Sequence, residues 1–158
     1  MNSLVKNTWS ETHPMVKTGI TIVVAGIGIY FVYKIIKGAS TLIDEWSSRK
    51  EGNQALESLV QLALQGINPT LSDSEVESMV NALKSELDDY YVDDDIVMNI
   101  LYKVQNKADW EKLKYRWGSQ DVGKGQQTIT EALSDRLYND NKSTLNQIFI
   151  SKGIGTIV

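Results

Sequence analysis

Residues 72–104, SDSEVESMVNALKSELDDYYVDDDIVMNILYKV, decide the fold. Ser72 followed by Glu75 is a capping-box signature, in which hydroxyl and carboxylate each take a backbone N–H at a helix start. Behind it Val76, Met79, Val80, Leu83 and Leu87 recur at the spacing of one helical face. The pattern breaks at residues 88–95, DDYYVDDD, which predict a loop. Asp93 suits the N-cap of the next helix, and Asp94 and Asp95 suit its dipole. The predicted core face of that helix is Ile96, Val97, Ile100, Leu101 and Val104.

The flanks repeat the helical pattern. Residues 54–65 carry Leu56, Leu59, Val60, Leu62 and Leu64, then Gly66 as a stop and Asn68-Pro69 as a turn. Asp109 is expected to begin a short helix with Trp110, Leu113 and Trp117 inward and Gly118 closing it. Residues 119–127, SQDVGKGQQ, read as a polar loop. A further helix over residues 127–138 uses Ile129, Leu133 and Leu137. Residues 139–142 read as a turn and Ser143 as a cap, before Leu145, Ile148 and Phe149. No segment alternates with period two for long enough to predict a strand. The expected fold class is therefore all-α, about five or six helices over residues 54–158, a length able to bury its own core.

Upstream the composition changes. Residues 18–33, TGITIVVAGIGIYFVY, hold no charge, and Ile35 and Ile36 continue the run after Lys34. A bilayer span needs about 17–25 apolar residues, and the Lys34 stem extends the usable length by snorkelling. A transmembrane helix is expected over residues 18–37. Its spanning residues are Ile20, Ile22, Val23, Val24, Ala25, Gly26, Ile27, Gly28, Ile29, Tyr30, Phe31, Val32 and Tyr33, with Lys17, Lys34 and Lys37 at the interfaces. Residues 1–17 form the expected tail, and residues 38–53 a juxtamembrane helix and linker. This layout implies single-pass membrane localisation, with the lipid bilayer as one partner. Thr21 and Ala25 form a small-xxx-small pair that leaves a homo-oligomer open.

Residues 1–37 carry four Lys against one Glu, whereas residues 38–158 carry 12 basic and 19 acidic side chains. An acidic body disfavours nucleic acid as a ligand, because phosphate binding needs a Lys/Arg surplus. With no Cys, and His13 the sole His, thiolate sites and His-based triads within the chain are excluded. No motif points to a cofactor. The acidic loop, with Asp88, Asp89, Tyr90 and Tyr91, reads as a divalent-cation site or as a docking patch for a basic partner protein. Glu75, Glu77, Glu86 and Glu111 are the carboxylates from which an anchored cell-wall hydrolase would have to draw its acid–base pair.

Residues 82–149 resemble an annexin repeat, a five-helix unit. The similarity rests on Ala82-Leu83, the loop Val92-Asp93-Asp94-Asp95, Ile100-Leu101, Leu113 through Trp117-Gly118, Leu133 with Leu137, and Leu145 with Ile148. The resemblance implies an annexin-like bundle able to bind lipid or a membrane partner. It makes Asp93, Asp94 and the distant Glu131 the acids to consider for a metal, although the family's Gly-x-Gly-Thr loop has no counterpart between Asp88 and Asp95. A single such unit behind one span also resembles, in layout, proteins of Bacteroidetes and their membrane-containing phages. That layout implies a non-enzymatic virion structural protein linking internal membrane and capsid. A bacterial envelope protein is the alternative.

Overall fold

The computed structural model describes residues 50–158. The expected tail, the expected span with its interfacial lysines, and residues 38–49 lie outside the described residues. Among the described residues no helix is long and apolar enough to cross a membrane.

The described chain is mostly helical. In order it forms α1 (Lys50–Leu64), α2 (Asp73–Asp88), α3 (Asp94–Leu101), α4 (Lys107–Trp117), β1 (Gln120–Val122), β2 (Gly125–Gln127), α5 (Ile129–Arg136) and α6 (Asn139–Ser151). Local chemistry accounts for most of the boundaries. The Ser72–Glu75 capping box opens α2, and a second box, Thr128 with Glu131, opens α5. Gly66 ends α1 at φ 79°, with Ile67 N–H reaching the Leu62 carbonyl at 2.9 Å and Gly66 N–H the Ala63 carbonyl at 3.1 Å. These paired bonds form a Schellman motif, which needs the left-handed backbone that glycine adopts without Cβ strain.

The core lies between α2 and the later elements. Val76, Met79, Val80, Leu83 and Leu87 of α2 are all buried, as their spacing predicts. They join Val97 and Leu101 of α3, Trp110, Leu113 and Trp117 of α4, Leu133 of α5, and Leu145 and Phe149 of α6. Trp110 and Phe149 meet edge to face with centroids 5.3 Å apart. A second cluster, Leu59 and Leu62 with Ala108, packs α1 on α4. The chain after α6 also returns to the core, where Ile154 is buried and Ile157 and Val158 pack against it.

Several expectations need correction. The first described helix is already formed at Lys50, so residues 50–53 are helical where a linker was expected. Residues 119–127 contain an antiparallel hairpin, with Val122 opposite Gly125. Gly123, at φ 58°, takes the first central position of its two-residue turn, where a type II′ turn requires positive φ. Tertiary contact holds this hairpin: Trp117 Nε1 donates to the Gln127 carbonyl at 3.1 Å, and Gln120 Nε2 to the Trp117 carbonyl at 2.9 Å. Ile96 is 46% exposed rather than core. Val97, Ile100, Leu101 and Val104 are buried as their spacing predicts, together with Asp94 and Met98. Ile96, two residues past Asp94 at about 100° per residue, turns to the opposite side. α6 begins at Asn139, so residues 139–142 are helix and Ser143 lies within it.

Asp109 is placed differently too. Asn106 is the N-cap of α4, and Asp109 lies one turn in, fully buried. Its Oδ1 accepts from Thr70 N (2.6 Å) and Leu71 N (2.9 Å). Its Oδ2 accepts from Thr70 Oγ1 (2.8 Å) and Gln105 N (3.0 Å). One carboxylate thus staples the α1–α2 connection to the start of α4. Lys112 supports the same junction, donating to the Leu71 carbonyl at 2.7 Å and pairing with Asp73 at 2.8 Å.

Candidate interaction surface

The loop between α2 and α3 is pinned on every side by polar contacts. α2 stops where Asp89 turns extended, at φ −66° and ψ 151°. Asp88 Oδ1 accepts from Gly123 N of the hairpin at 3.2 Å, and Arg136 of α5 donates to the Asp89 carbonyl. Glu86 Oε1 takes Asp93 N at 2.7 Å, closing the loop on itself. Asp93 Oδ1 then caps α3 through Asp95 N (3.0 Å) and Ile96 N (3.2 Å). Val92 packs partly buried against the core.

From this clamped loop two aromatic side chains stand in solvent. Tyr90 is 84% and Tyr91 81% exposed, with rings edge to face and centroids 4.7 Å apart. Folding gains little from aromatic area left in water, so burial does not account for either side chain. A third exposed tyrosine, Tyr138 at 75% exposure, joins this region. Tyr138 is brought there from across the fold, its N–H donating to Asp94 Oδ2 at 3.0 Å. Tyrosines ringed by acids provide flat contact area with few rotatable bonds and a polar tip, as protein interfaces favour.

Beneath the rim lies an open hollow of about 570 Å³, lined by Tyr91, Val92, Asp93, Asp94, Asp95 and Asn141. Asp94 is only 8% exposed. Its Oδ2 accepts from Tyr138 N and, at 2.7 Å, from Asn141 Nδ2, whereas its Oδ1 is buried with no hydrogen-bond partner. A buried acceptor left without a donor costs about 1–3 kcal/mol, more for a charged group.

The four residues predicted to dock a partner, Asp88, Asp89, Tyr90 and Tyr91, therefore share one edge of the molecule. The acids considered for a metal are employed separately. Asp93 caps α3, Asp94 holds Tyr138 and Asn141, and Glu131 accepts from Thr128 N (2.8 Å) and Thr128 Oγ1 (2.9 Å). Among the described residues no three His, Cys, Asp or Glu converge to hold a metal ion. The hydrolase candidates are dispersed likewise. Glu75 serves its capping box, Glu77 pairs with Arg116, Glu86 holds the loop, and Glu111 pairs with Lys114 at 2.8 Å. Tyr138 and Asn141 escaped the sequence reading because they lie 44 and 47 residues from Asp94 and join it only in the folded chain.

No protein-family model matches this chain, no curated protein matches it, and no solved structure matches it.

Proposed function

We propose that this protein is a non-enzymatic tether, anchored in a bilayer by residues 18–37 and docking a partner protein through the acidic tyrosine edge between α2 and α3. The observation that carries the docking half is the exposed Tyr90–Tyr91 pair on a loop otherwise fixed by polar contacts. A loop held that firmly presents its side chains in one arrangement, which lowers the ordering cost of association. The anchoring half rests on the uncharged run of residues 18–33. The setting we propose is a particle with an internal membrane and a protein shell, after the layout resemblance above. The annexin-like resemblance keeps a lipid-binding envelope protein as the second reading.

The test has two arms. Full-length protein should float with liposomes through high-salt and alkaline washes, and Ile27→Arg should release it. A photo-crosslinking residue at position 91 should give one discrete protein adduct in the native membrane, while the same residue at exposed position 134 gives none. Material that remains soluble without lipid or detergent would defeat the anchoring half. Equal crosslinking at both positions would defeat the docking half.

A further inference from the structure

Resting on the bilayer-anchoring reading, we infer that the end of the bundle opposite the docking edge lies on anionic lipid headgroups, through Ile67, Tyr102, Lys103, Lys107 and Ile150. Three stretches distant in sequence build this end. Asn106 Nδ2 donates to the Asn68 carbonyl at 3.1 Å, and Lys152 Nζ donates to the carbonyls of Tyr102 (2.8 Å) and Val104 (2.6 Å). These bonds join the α1–α2 connection, the α3–α4 connection and the end of α6. The acidic loop sits at the start of α3 and this junction at its end, with eight residues, about 12 Å of helix, between them.

The junction differs in charge from the acidic body around it. Residues 64–72 hold no charge, and residues 100–108 hold two lysines and no acid. Those lysines, Lys103 and Lys107, are exposed and make no ion pair among the described residues. The acids of the adjoining segments are engaged: Asp109 is buried among its donors, Asp73 pairs with Lys112, and Glu75 serves its capping box. Beside the lysines stand apolar groups that folding leaves in water, Ile67 at 39%, Tyr102 at 40% and Ile150 at 57% exposure.

Lysines interleaved with aliphatic and tyrosine side chains suit the headgroup layer, where ammonium groups meet lipid phosphates and apolar groups enter the acyl boundary. The anchor keeps such a surface within reach. Helix α1 is 15 residues, about 22 Å, and residues 38–49 before it can extend at most about 40 Å, so this end can turn onto the bilayer. Net charge then sets the orientation. Residues 38–158 carry 12 basic and 19 acidic side chains, so an anionic leaflet repels the body as a whole and accepts it best with the Asp88–Asp95 loop turned outward. That orientation presents Tyr90 and Tyr91 to the partner.

The chain has no Cys, so one introduced Cys carries a unique environment-sensitive fluorophore. Full-length protein labelled through Ile150→Cys or Tyr91→Cys is reconstituted into liposomes of phosphatidylcholine, alone or mixed with phosphatidylglycerol. The expected result is a blue shift at position 150 in the mixed liposomes only, reversed by high salt, with position 91 remaining in water. Combining Lys103→Gln with Lys107→Gln, both at exposed positions, should lower the ratio of docked to free domain about thirtyfold, since each lysine near an anionic surface favours contact about fivefold. A label at position 150 that stays in water, an equal shift in phosphatidylcholine alone, a matching shift at position 91, or an undiminished shift in the double variant would overturn the inference. A larger shift when duplex DNA is added to the protein in detergent would overturn it in favour of another polyanion. Flotation through alkaline wash reads the anchor separately. Protein that floats while position 150 stays in water keeps the anchor and loses the oriented face. Protein that washes off, yet shifts at position 150 in mixed liposomes, keeps the face and loses the anchor.

Discussion

Replacing Asp109 with Ala removes the acceptor for four hydrogen bonds that join two connections distant in the chain, at Thr70–Leu71 and at Gln105. Thr70 and Gln105 are exposed, so their freed donors can recruit water, and a net value of about 1 kcal/mol per bond is appropriate. The four bonds then sum to about 4 kcal/mol, a large part of the roughly 5–15 kcal/mol that holds a small domain folded. Asp109→Asn should lose less, about 2–3 kcal/mol, because its one oxygen still serves two donors while its NH₂ group faces donors on the other side. Urea denaturation of the full-length protein, followed by near-ultraviolet circular dichroism, measures both losses. Hydrogen exchange locates them, with amides of Thr70, Leu71 and Gln105 accelerating first. A loss below about 1 kcal/mol for Asp109→Ala, a net value expected of one hydrogen bond, would show that the staple reading is mistaken.

Gly66→Ala should cost about 1–2 kcal/mol, the strain of an L-residue in the left-handed region. No atom lies within 4 Å of the added Cβ, so a thermal melt reads the backbone term alone. Burial raises the Tyr115 hydroxyl above its ordinary pKa of 10.0. The unfolded chain therefore loses that proton first, and stability should fall as pH rises from 10 toward the raised folded value. Denaturant midpoints across that window should show the decline, and Tyr115→Phe should reduce it. The bonds from Ser72 lower the Glu75 carboxyl below 4.5. Its contribution should be complete above pH 4.5 and fade as pH drops through the depressed folded value, a decline that Glu75→Gln removes.

What was legible from sequence is what neighbours along the chain decide. The Ser72–Glu75 box, the α2 core face and the Asp93 cap were all visible, because capping bonds span three residues and a helical face repeats within eight. The same local logic gave Trp110 and Trp117 as core residues. It failed where a short element depends on distant support. The hairpin has three-residue strands with only Val122 buried, and it closes on Trp117 rather than on its own alternation. Of the five core residues read for α3 and its end, Val97, Ile100, Leu101 and Val104 are buried and Ile96 stands exposed.

The docking edge divides along the same line. Composition alone marked the acidic loop and its tyrosines. That Tyr90 and Tyr91 stay in water, that Tyr138 and Asn141 close around Asp94, and that one carboxylate oxygen is left over were decided only by tertiary structure. A sequence fixes helix starts and faces through contacts a few residues apart. Which polar atoms go unsatisfied depends on groups more than forty residues away, and only the packed chain brings those together.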